Sequence, residues 1–155
     1  MNGYDFVTND FPTLLLRKFY PERTDRESGL IRDFLLAHLA EYDRVSFSVR
    51  VGEGIAPNPA HLPAVQRGGV WSSRRRIDVV CYRGGAVTLV EAKETLRHDV
   101  LGQLLSDRQL WLEDHADAEE PALVAIGRFA DDDTIRVLRA HGIDVLLYAP
   151  RGVTA

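Results

Sequence analysis

The sequence predicts an α/β protein with a mixed central sheet flanked by helices, and three observations support this prediction. Helical and extended hydrophobic patterns follow one another in the order α β β β α β α β. A Gly-Gly pair joins two β-rich runs, at 77–82 and 86–90, and indicates a central hairpin, because we expect both residues of such a turn to need a positive φ. The chain has 155 residues, of which 45% are apolar and 27% charged, so we expect one globular domain over 1–155.

The first predicted helix begins at Thr24. Before it, residues 1–23 mix apolar and polar side chains with proline breaks, and they allow either a short strand or a helical turn. Thr24 and Glu27 have the spacing of a capping box, in which each side chain binds the backbone amide of the other. Apolar residues follow at helical spacing: Leu30, Ile31, Phe34, Leu35 and Leu39. Residues 44–51 then alternate between apolar and polar, which predicts a half-buried strand with one polar face beside the hairpin.

Residues 52–75 show no hydrophobic period and contain several prolines and glycines, so we predict a long loop. A loop of this length inside a small domain is usually functional or disordered. Near its end it carries a tryptophan and runs into three consecutive arginines: Trp71, Arg74, Arg75 and Arg76. Arginine binds phosphate oxygens and tryptophan can stack on a base, so we predict that these residues contact nucleic acid. The alternative is a solvated run of charge.

The second half of the chain alternates helices with strands. A helix is predicted over 96–116 from its apolar stripe. A continuous apolar run at 122–126 predicts a strand that is covered on both faces. A further helix begins near Asp131 and ends at Gly142, and the last strand is predicted over 143–148.

The central hairpin carries two acids on one face. With Gly84 and Gly85 as the two-residue loop, Asp78 lies opposite Glu91. Directly opposed residues place their Cβ atoms roughly 4.5–5.5 Å apart, where like charges repel each other. Lys93 lies on the same face and supplies part of the positive charge that this pair requires. A divalent cation would supply the rest.

Asp78, a short hairpin and then Glu91, Ala92 and Lys93 resemble the D…E-x-K signature of the PD-(D/E)XK nuclease superfamily. An isoleucine stands where that signature has a proline. The likeness extends over residues 24–148, because the order of the predicted elements also matches the superfamily core. It implies a restriction-endonuclease-like fold, an α-β-β-β-α-β core to which this chain adds one helix and one strand.

The resemblance implies a Mg²⁺ or Mn²⁺ site built from the carboxylates of Asp78 and Glu91 and the carbonyl oxygen of Ala92. Many superfamily members place a further acid on the first helix, which makes Glu27 a candidate ligand for an ion. The capping box leaves an alternative open for Glu27, because a carboxylate that folds back onto the amide of Thr24 caps the helix instead.

The resemblance also implies catalytic roles and a function. Lys93 would orient the attacking water and offset charge at phosphorus, and Gln103 would fix the water or a phosphate oxygen. The expected activity is metal-dependent hydrolysis of phosphodiester bonds in DNA, by an endonuclease or an exonuclease in repair, recombination or defence against foreign DNA. One alternative keeps the fold in a non-catalytic DNA-binding or assembly subunit. Another is an unrelated α/β domain, in which Asp78 and Glu91 would be exposed edge charges.

Composition and simple motifs narrow the classes of protein to which this chain can belong. A net charge of -4 argues against a protein that coats nucleic acid broadly. We find no apolar stretch of membrane-spanning length and no signal-peptide pattern, so we expect a cytoplasmic protein that does not bind membranes. The single cysteine, Cys81, is typical of a small buried hydrophobe. DNA is the expected partner ahead of RNA, and a homodimer or a larger complex is compatible with the resemblance.

Overall fold

The protein is built on a mixed six-stranded sheet, seen in a computed structural model that describes residues 4–150. The strands are β1 (Tyr4–Val7), β2 (Arg44–Val51), β3 (Arg75–Arg83), β4 (Ala86–Ala92), β5 (Ala122–Gly127) and β6 (Ile143–Leu147). They lie side by side in sequence order. Neighbours from β1 to β4 pair antiparallel, whereas β4–β5 and β5–β6 pair parallel. Parallel neighbours need a crossover connection, so the C-terminal half of the chain must alternate strands with helices.

Five α-helices accompany the sheet within the described residues. They are α1 (Phe11–Leu16), α2 (Asp25–His38), α3 (Pro63–Ser73), α4 (Asp99–Asp114) and α5 (Asp132–Ala140). The order α2 β2 β3 β4 α4 β5 is the predicted core, with α5 and β6 as the added helix and strand, so the predicted fold class is confirmed. Between residues 4 and 150 no helix combines the length and the apolar character needed to cross a membrane.

A separate hydrophobic core covers each face of the sheet. The first core contains the apolar stripe predicted from helical spacing: Leu30, Ile31, Phe34, Leu35 and Leu39. The second core contains side chains of α4 and α5, including Leu104 and Leu138. Cys81 is buried in the first core, as predicted. The central strands therefore lie between two apolar layers, where a polar side chain needs a specific partner.

The β3–β4 hairpin has the predicted register. Gly84 and Gly85 form the loop, and paired residues extend from it as far as Val79 and Val90. Gly84 has a φ of 58°, which glycine adopts without strain, whereas Gly85 lies outside the left-handed region. The expectation that both loop residues need a positive φ is therefore wrong for Gly85.

Two stretches without a clear sequence pattern contain regular structure. The predicted loop over 52–75 is wrong in part, because Pro63–Ser73 form α3. No residue of α3 is buried, so this helix has no apolar stripe that a sequence pattern could detect. Residues 4–23 contain β1 and α1, and Phe11 and Leu14 pack into the first core. These are long-range contacts, which local patterns do not record.

Strand β2 is buried on both faces, so the prediction of a half-buried strand is wrong. Its polar residues Ser46, Ser48 and Arg50 are 1%, 3% and 9% exposed. Other segments supply partners for them: the Ser46 hydroxyl donates to Asp5 of β1, the Ser48 hydroxyl donates to the carbonyl of Pro21, and Arg50 pairs with Glu22. A polar side chain can be buried once such partners exist, and alternation along one strand does not reveal them.

Candidate active site

The two acids of the hairpin are buried side by side. Asp78 lies on β3 and Glu91 on β4, one position beyond the last paired residues of the hairpin. They are 2% and 1% exposed. The Asp78 carboxylate also accepts a hydrogen bond of 2.9 Å from the backbone amide of Ala92. The structure therefore brings the predicted pair together, and the interpretation of these acids as exposed edge charges is wrong.

The strands lose their regular alternation at Asp78. Ile77 packs in the core that contains α4, whereas Val79, two residues further along the same strand, packs in the core that contains α2. Ser48 lies in β2 between the residues that pair with Ile77 and Val79, and its φ is 54°. A non-glycine residue in this left-handed region costs on the order of 1–3 kcal/mol, and such residues are concentrated at functional sites. The distortion therefore sets the position of Asp78 apart from the rest of the sheet.

Glu91 is held through one of its two carboxylate oxygens. Oε1 accepts a hydrogen bond of 2.5 Å from Gln103 Nε2 and lies 3.2 Å from Lys93 Nζ. Oε2 is buried and has no hydrogen-bond partner among the described residues. Burial and the neighbouring Asp78 raise the pKa of Glu91 to about 8. Burial therefore disfavours the ionised form of Glu91, which an additional cation would stabilise.

Asp78 has a cationic partner that no sequence pattern indicated. The guanidinium of Arg23, in the segment before α2, contacts Oδ1 of Asp78, and only 2% of the Arg23 side chain is exposed. Burial still raises the pKa of Asp78, with the charge of Arg23 as the strongest opposing influence. The contact joins residues that are 55 positions apart, so nothing in the local sequence of either residue predicts it.

Helix α4 adds a third buried acid, Asp107, to the predicted set. Asp107 lies one turn beyond Gln103 and has a fully buried side chain. Its Oδ1 accepts a 3.0 Å hydrogen bond from Arg75 Nε, and its Oδ2 has no partner in the part of the chain that the structure describes. Burial is the main cause that raises the pKa of Asp107 to about 6. The spacing of four residues from Gln103 was the signal that could have placed it on the same helix face.

Glu27 forms the predicted capping box. Its Oε2 accepts hydrogen bonds of 3.0 Å from both the amide and the hydroxyl of Thr24, whose hydroxyl in turn accepts from the amide of Glu27 at 3.3 Å. Burial alone would raise the pKa of Glu27, but the bonds to Thr24 and the charges of Arg23 and Lys93 lower it overall. Glu27 is therefore a charged helix cap that lies in the electric field of Arg23 and Lys93, the two cations of the acid pair. Its role as a metal ligand stays a prediction.

All three predicted DNA-binding arginines form ion pairs within the protein. The pairs are Arg74 with Asp114, Arg75 with Asp107 and Arg76 with Glu22. The Arg75 and Arg76 side chains are 44% and 35% exposed, whereas that of Arg74 is 18% exposed and also donates to the carbonyl of Gly52. Trp71, on α3, is 48% exposed. Arg75, Arg76 and Trp71 are accessible to a ligand, Arg74 supports the fold, and contact with DNA stays a prediction for all four.

The acid pair has the chemistry of a site for a hard divalent cation. Its donors are two carboxylates, and carboxylate oxygens are among the ligands that Mg²⁺ and Mn²⁺ prefer. The unpartnered Oε2 of Glu91 is a buried oxygen that a cation would satisfy. Residues 4–150 contain no group of three or more His, Cys, Asp or Glu side chains placed to share one ion. Because Mg²⁺ is commonly held by one or two carboxylates and several waters, the residues present fit such an ion.

Two solved structures have limited similarity to this one, whereas no protein-family model and no curated protein matches the sequence. A repair endonuclease from Pyrococcus abyssi matches with a TM-score of 0.48 at 12% identity, over 87% of this chain and 50% of that one. A protein of unknown function matches with a TM-score of 0.42 at 16% identity, over 76% of this chain and 54% of that one. This chain therefore spans about half the length of each structure it matches. Similarity of this degree assigns no activity to it.

Proposed function

We propose that this protein is a metal-dependent nuclease that hydrolyses phosphodiester bonds in DNA. The observation that carries the proposal is the buried pair of acids, Asp78 and Glu91, with the ammonium of Lys93 3.2 Å from Glu91. Two carboxylates buried on adjacent strands destabilise the metal-free fold, and groups perturbed in this way are concentrated in active sites. Their place in an α-β-β-β-α-β core is the place of the catalytic acids in the superfamily that the sequence resembles.

The acids and an adjacent carbonyl would hold Mg²⁺ or Mn²⁺. Asp78 and Glu91 would supply carboxylate oxygens, and Ala92 would supply its carbonyl oxygen. When bound, the ion supplies an activated water and offsets negative charge at phosphorus. Gln103 holds Glu91 by donating to Oε1, which leaves Oε2 available. Glu27 is the further candidate ligand, through the oxygen that does not accept the capping bonds.

Lys93 is the residue proposed to act on the substrate. Its side chain is 36% exposed, so the ammonium can reach a bound phosphate. Burial alone would lower the pKa of Lys93, but Glu91 raises it overall, and the ammonium is charged at neutral pH. A charged donor at this position would orient the attacking water and stabilise the negative charge that develops on the phosphate.

Local charge supports DNA as the substrate. Residues 55–76 contain four arginines and no acid, although the whole chain has a net charge of -4. Arg75 and Arg76 open β3, the strand that carries Asp78, and arginine contacts with phosphate dominate affinity for DNA. Trp71 is about half exposed and the Arg50 guanidinium lies over its ring, so a base would stack on the opposite face. We propose repair, recombination or defence against foreign DNA as the setting for this activity.

A non-catalytic DNA-binding or assembly subunit is the second candidate, and one observation favours it. The Arg23 guanidinium contacts Asp78 and so neutralises one of the two acids without a metal. In a protein without catalysis, this buried ion pair would be a permanent structural element. The complete set of Asp78, Glu91 and Lys93 favours the nuclease, because a purely structural protein has no need of a second buried acid beside the first.

Cleavage assays on a panel of DNA substrates test the proposal. The purified protein is incubated with nicked, branched, single-stranded and duplex DNA in the presence of Mg²⁺, Mn²⁺ or EDTA. We expect metal-dependent cleavage of at least one substrate by the wild type, and a loss of about 100-fold or more in Asp78→Asn and in Lys93→Ala. Asp117→Asn, in an exposed turn, is the matched control and should retain wild-type activity.

Circular dichroism and thermal unfolding establish whether the variants are folded. Asp78→Asn leaves the buried Arg23 without its ion-pair partner, so Lys93→Ala is the variant whose fold should be affected less. A folded wild type that binds DNA but cleaves none of the substrates with either metal would favour the non-catalytic subunit.

A further inference from the structure

Both carboxylate oxygens of Asp78 are engaged by groups that carry positive charge. Arg23 contacts Oδ1, and the backbone amide of Ala92 donates to Oδ2. A divalent cation that approaches either oxygen is repelled by the guanidinium or by the N–H group. The amide belongs to a strand and cannot move without disturbing the sheet, whereas Arg23 is a side chain with rotatable bonds. The guanidinium is therefore the group that a cation would displace.

The formal charges of the two acids and of their two cationic partners balance when both acids are ionised. Asp78 and Glu91 carry negative charge when ionised, and Arg23 and Lys93 each carry one positive charge beside them. A divalent cation added to this set would leave an excess of positive charge in a buried site, which is costly. Withdrawal of Arg23 reduces the excess, and a phosphate group entering the site removes the rest.

The Arg23 side chain can leave without unfolding the segment around it. The carboxylate of the preceding Glu22 is bonded at 3.1 Å to two arginines of the sheet, which hold the backbone in place. Besides Asp78, the Arg23 guanidinium has a contact of 3.5 Å with the Ser48 hydroxyl, and Arg23 Nε has no partner among the described residues. Movement of this side chain therefore breaks one ion pair and little else.

We propose that Arg23 and a divalent cation compete for Asp78, and that the metal binds when Arg23 moves to a phosphate of bound DNA. This inference rests on the proposed function. Phosphate replaces the negative charge that Arg23 loses on leaving Asp78, and it accepts two parallel hydrogen bonds from a guanidinium. The acid pair then holds Arg23 in the free protein and a metal ion in the DNA complex. The metal site is therefore complete only when DNA is bound.

Competition of this kind couples metal binding to DNA binding. If DNA tightens metal binding by a given factor, metal tightens DNA binding by the same factor. Removal of the Arg23 guanidinium should abolish the dependence of metal affinity on bound DNA, because the competing charge is then absent whether or not DNA is bound. The effect of Arg23 is therefore measurable as metal affinity, without any assay of cleavage.

Calorimetric titration with Mn²⁺ alone tests the competition on the wild type, Arg23→Met and Arg26→Met. Arg26 is the matched control, because it lies three residues further along the chain and is exposed. We expect Arg23→Met to bind Mn²⁺ at least about 5-fold more tightly than the wild type, the lower end of couplings between linked ligands, and Arg26→Met to equal the wild type. Adding Asp78→Asn to Arg23→Met should abolish the binding.

Two different failures are distinguishable. Equal or weaker Mn²⁺ binding by folded Arg23→Met, still lost on adding Asp78→Asn, overturns the competition and leaves the metal site standing. Two other outcomes overturn the metal site and the competition together. One is Mn²⁺ binding that Asp78→Asn does not affect, and the other is the absence of Mn²⁺ binding by both the wild type and Arg23→Met.

A second measurement keeps Arg23 in place and tests the coupling between metal binding and DNA binding even if Arg23→Met does not fold. Mn²⁺ affinity is measured for the non-cleaving Lys93→Ala variant with and without a short DNA duplex. We expect duplex DNA to tighten Mn²⁺ binding by about 5-fold or more. An unchanged affinity overturns the coupling.

Discussion

The β3–β4 hairpin lies between two hydrophobic cores, whereas helix α3, which precedes it in the chain, has no buried residue. Val80 and Leu89 of the hairpin are fully buried, while Leu62 and Val65 at the start of α3 are 74% and 55% exposed. Close packing determines the positions of the buried hairpin side chains, so two like charges can be held together there against their repulsion. The exposed helix has no such constraint, and its side chains are available to a partner.

Two arginines show the same difference. The Arg23 side chain is 2% exposed and pairs with Asp78, whereas the Arg76 side chain is 35% exposed and pairs with Glu22. An exposed ion pair contributes only about 0–1 kcal/mol to stability, so Arg76 can exchange its partner for a phosphate at little cost. Breaking the buried pair is expensive unless both charges find new partners. Burial, and not residue type, therefore decides how much free energy each arginine loses when it leaves its carboxylate partner.

Truncating one leucine in each region should give the largest contrast. Leu89→Ala opens a cavity in a fully buried part of β4 and should lower the free energy of unfolding by about 2–5 kcal/mol. Leu62→Ala removes a side chain that is 74% exposed. Its loss should stay below about 0.5 kcal/mol. Urea unfolding followed by circular dichroism measures both, and similar losses would show that α3 is covered in solution.

Asp107→Asn measures the electrostatic cost of burying acids around the hairpin. Burial raises the pKa of Asp107 from its ordinary value of 3.8 to about 6. As pH rises through this interval, the unfolded chain loses the proton first, so the wild type loses stability up to about pH 6 and regains none above it. The variant lacks this loss. The free energy of unfolding of Asp107→Asn should exceed that of the wild type by about 1–3 kcal/mol at pH 8, and the difference should vanish below about pH 4.

Urea unfolding of both proteins between pH 3.5 and 8 checks this prediction. Asp117→Asn, in an exposed turn, is the control and should differ from the wild type by the same amount at every pH. A stability difference for Asp107→Asn that does not grow with pH would mean that Asp107 ionises in the folded protein as it does in the unfolded chain.

Substitutions at the start of α2 separate the capping role of Glu27 from the proposed metal role. Thr24→Ala removes the side chain that caps the helix and should cost about 1 kcal/mol. Glu27→Gln can still accept the capping bonds and should cost less. If Glu27 also holds an ion, Glu27→Gln lowers cleavage at limiting Mg²⁺ and high Mg²⁺ partly restores it, whereas Thr24→Ala does neither. Equal cleavage by both variants at every Mg²⁺ concentration would leave Glu27 as a cap only.

The smallest effect is expected for the exposed arginines. Replacing Arg75 and Arg76 by glutamine should lower the salt dependence of DNA binding by about 0.9 in the log–log slope for each lost phosphate contact. Arg136→Gln, on α5 and with a side chain that is 75% exposed, removes the same charge elsewhere and should leave the slope unchanged. Fluorescence anisotropy between low and moderate salt measures the slopes. An unchanged slope in the double variant would exclude this surface from the DNA interface.

Local rules were sufficient for the hairpin and for the order of the core elements from α2 to β6, with the exception of α3. A two-residue Gly84-Gly85 loop sets the register by counting, and that register places Asp78 beside Glu91. The place of Gln103 near the acids was implied by the family resemblance and not by a local rule, and Gln103 donates to Glu91. Prediction from hydrophobic periodicity failed for α3, which has no buried residue, and for β2, which is covered on both faces.

By itself the sequence determined the secondary structure that is periodic, the register of the central hairpin and the proximity of its two acids, because each follows from spacing along a single segment. The tertiary structure alone decided which cations accompany those acids. Arg23 meets Asp78 across 55 residues and Arg75 meets Asp107 across 32, and neither distance is a period of any helix or strand. The physical reason is that an ion pair depends on where two segments pack, and packing is a property of the whole chain.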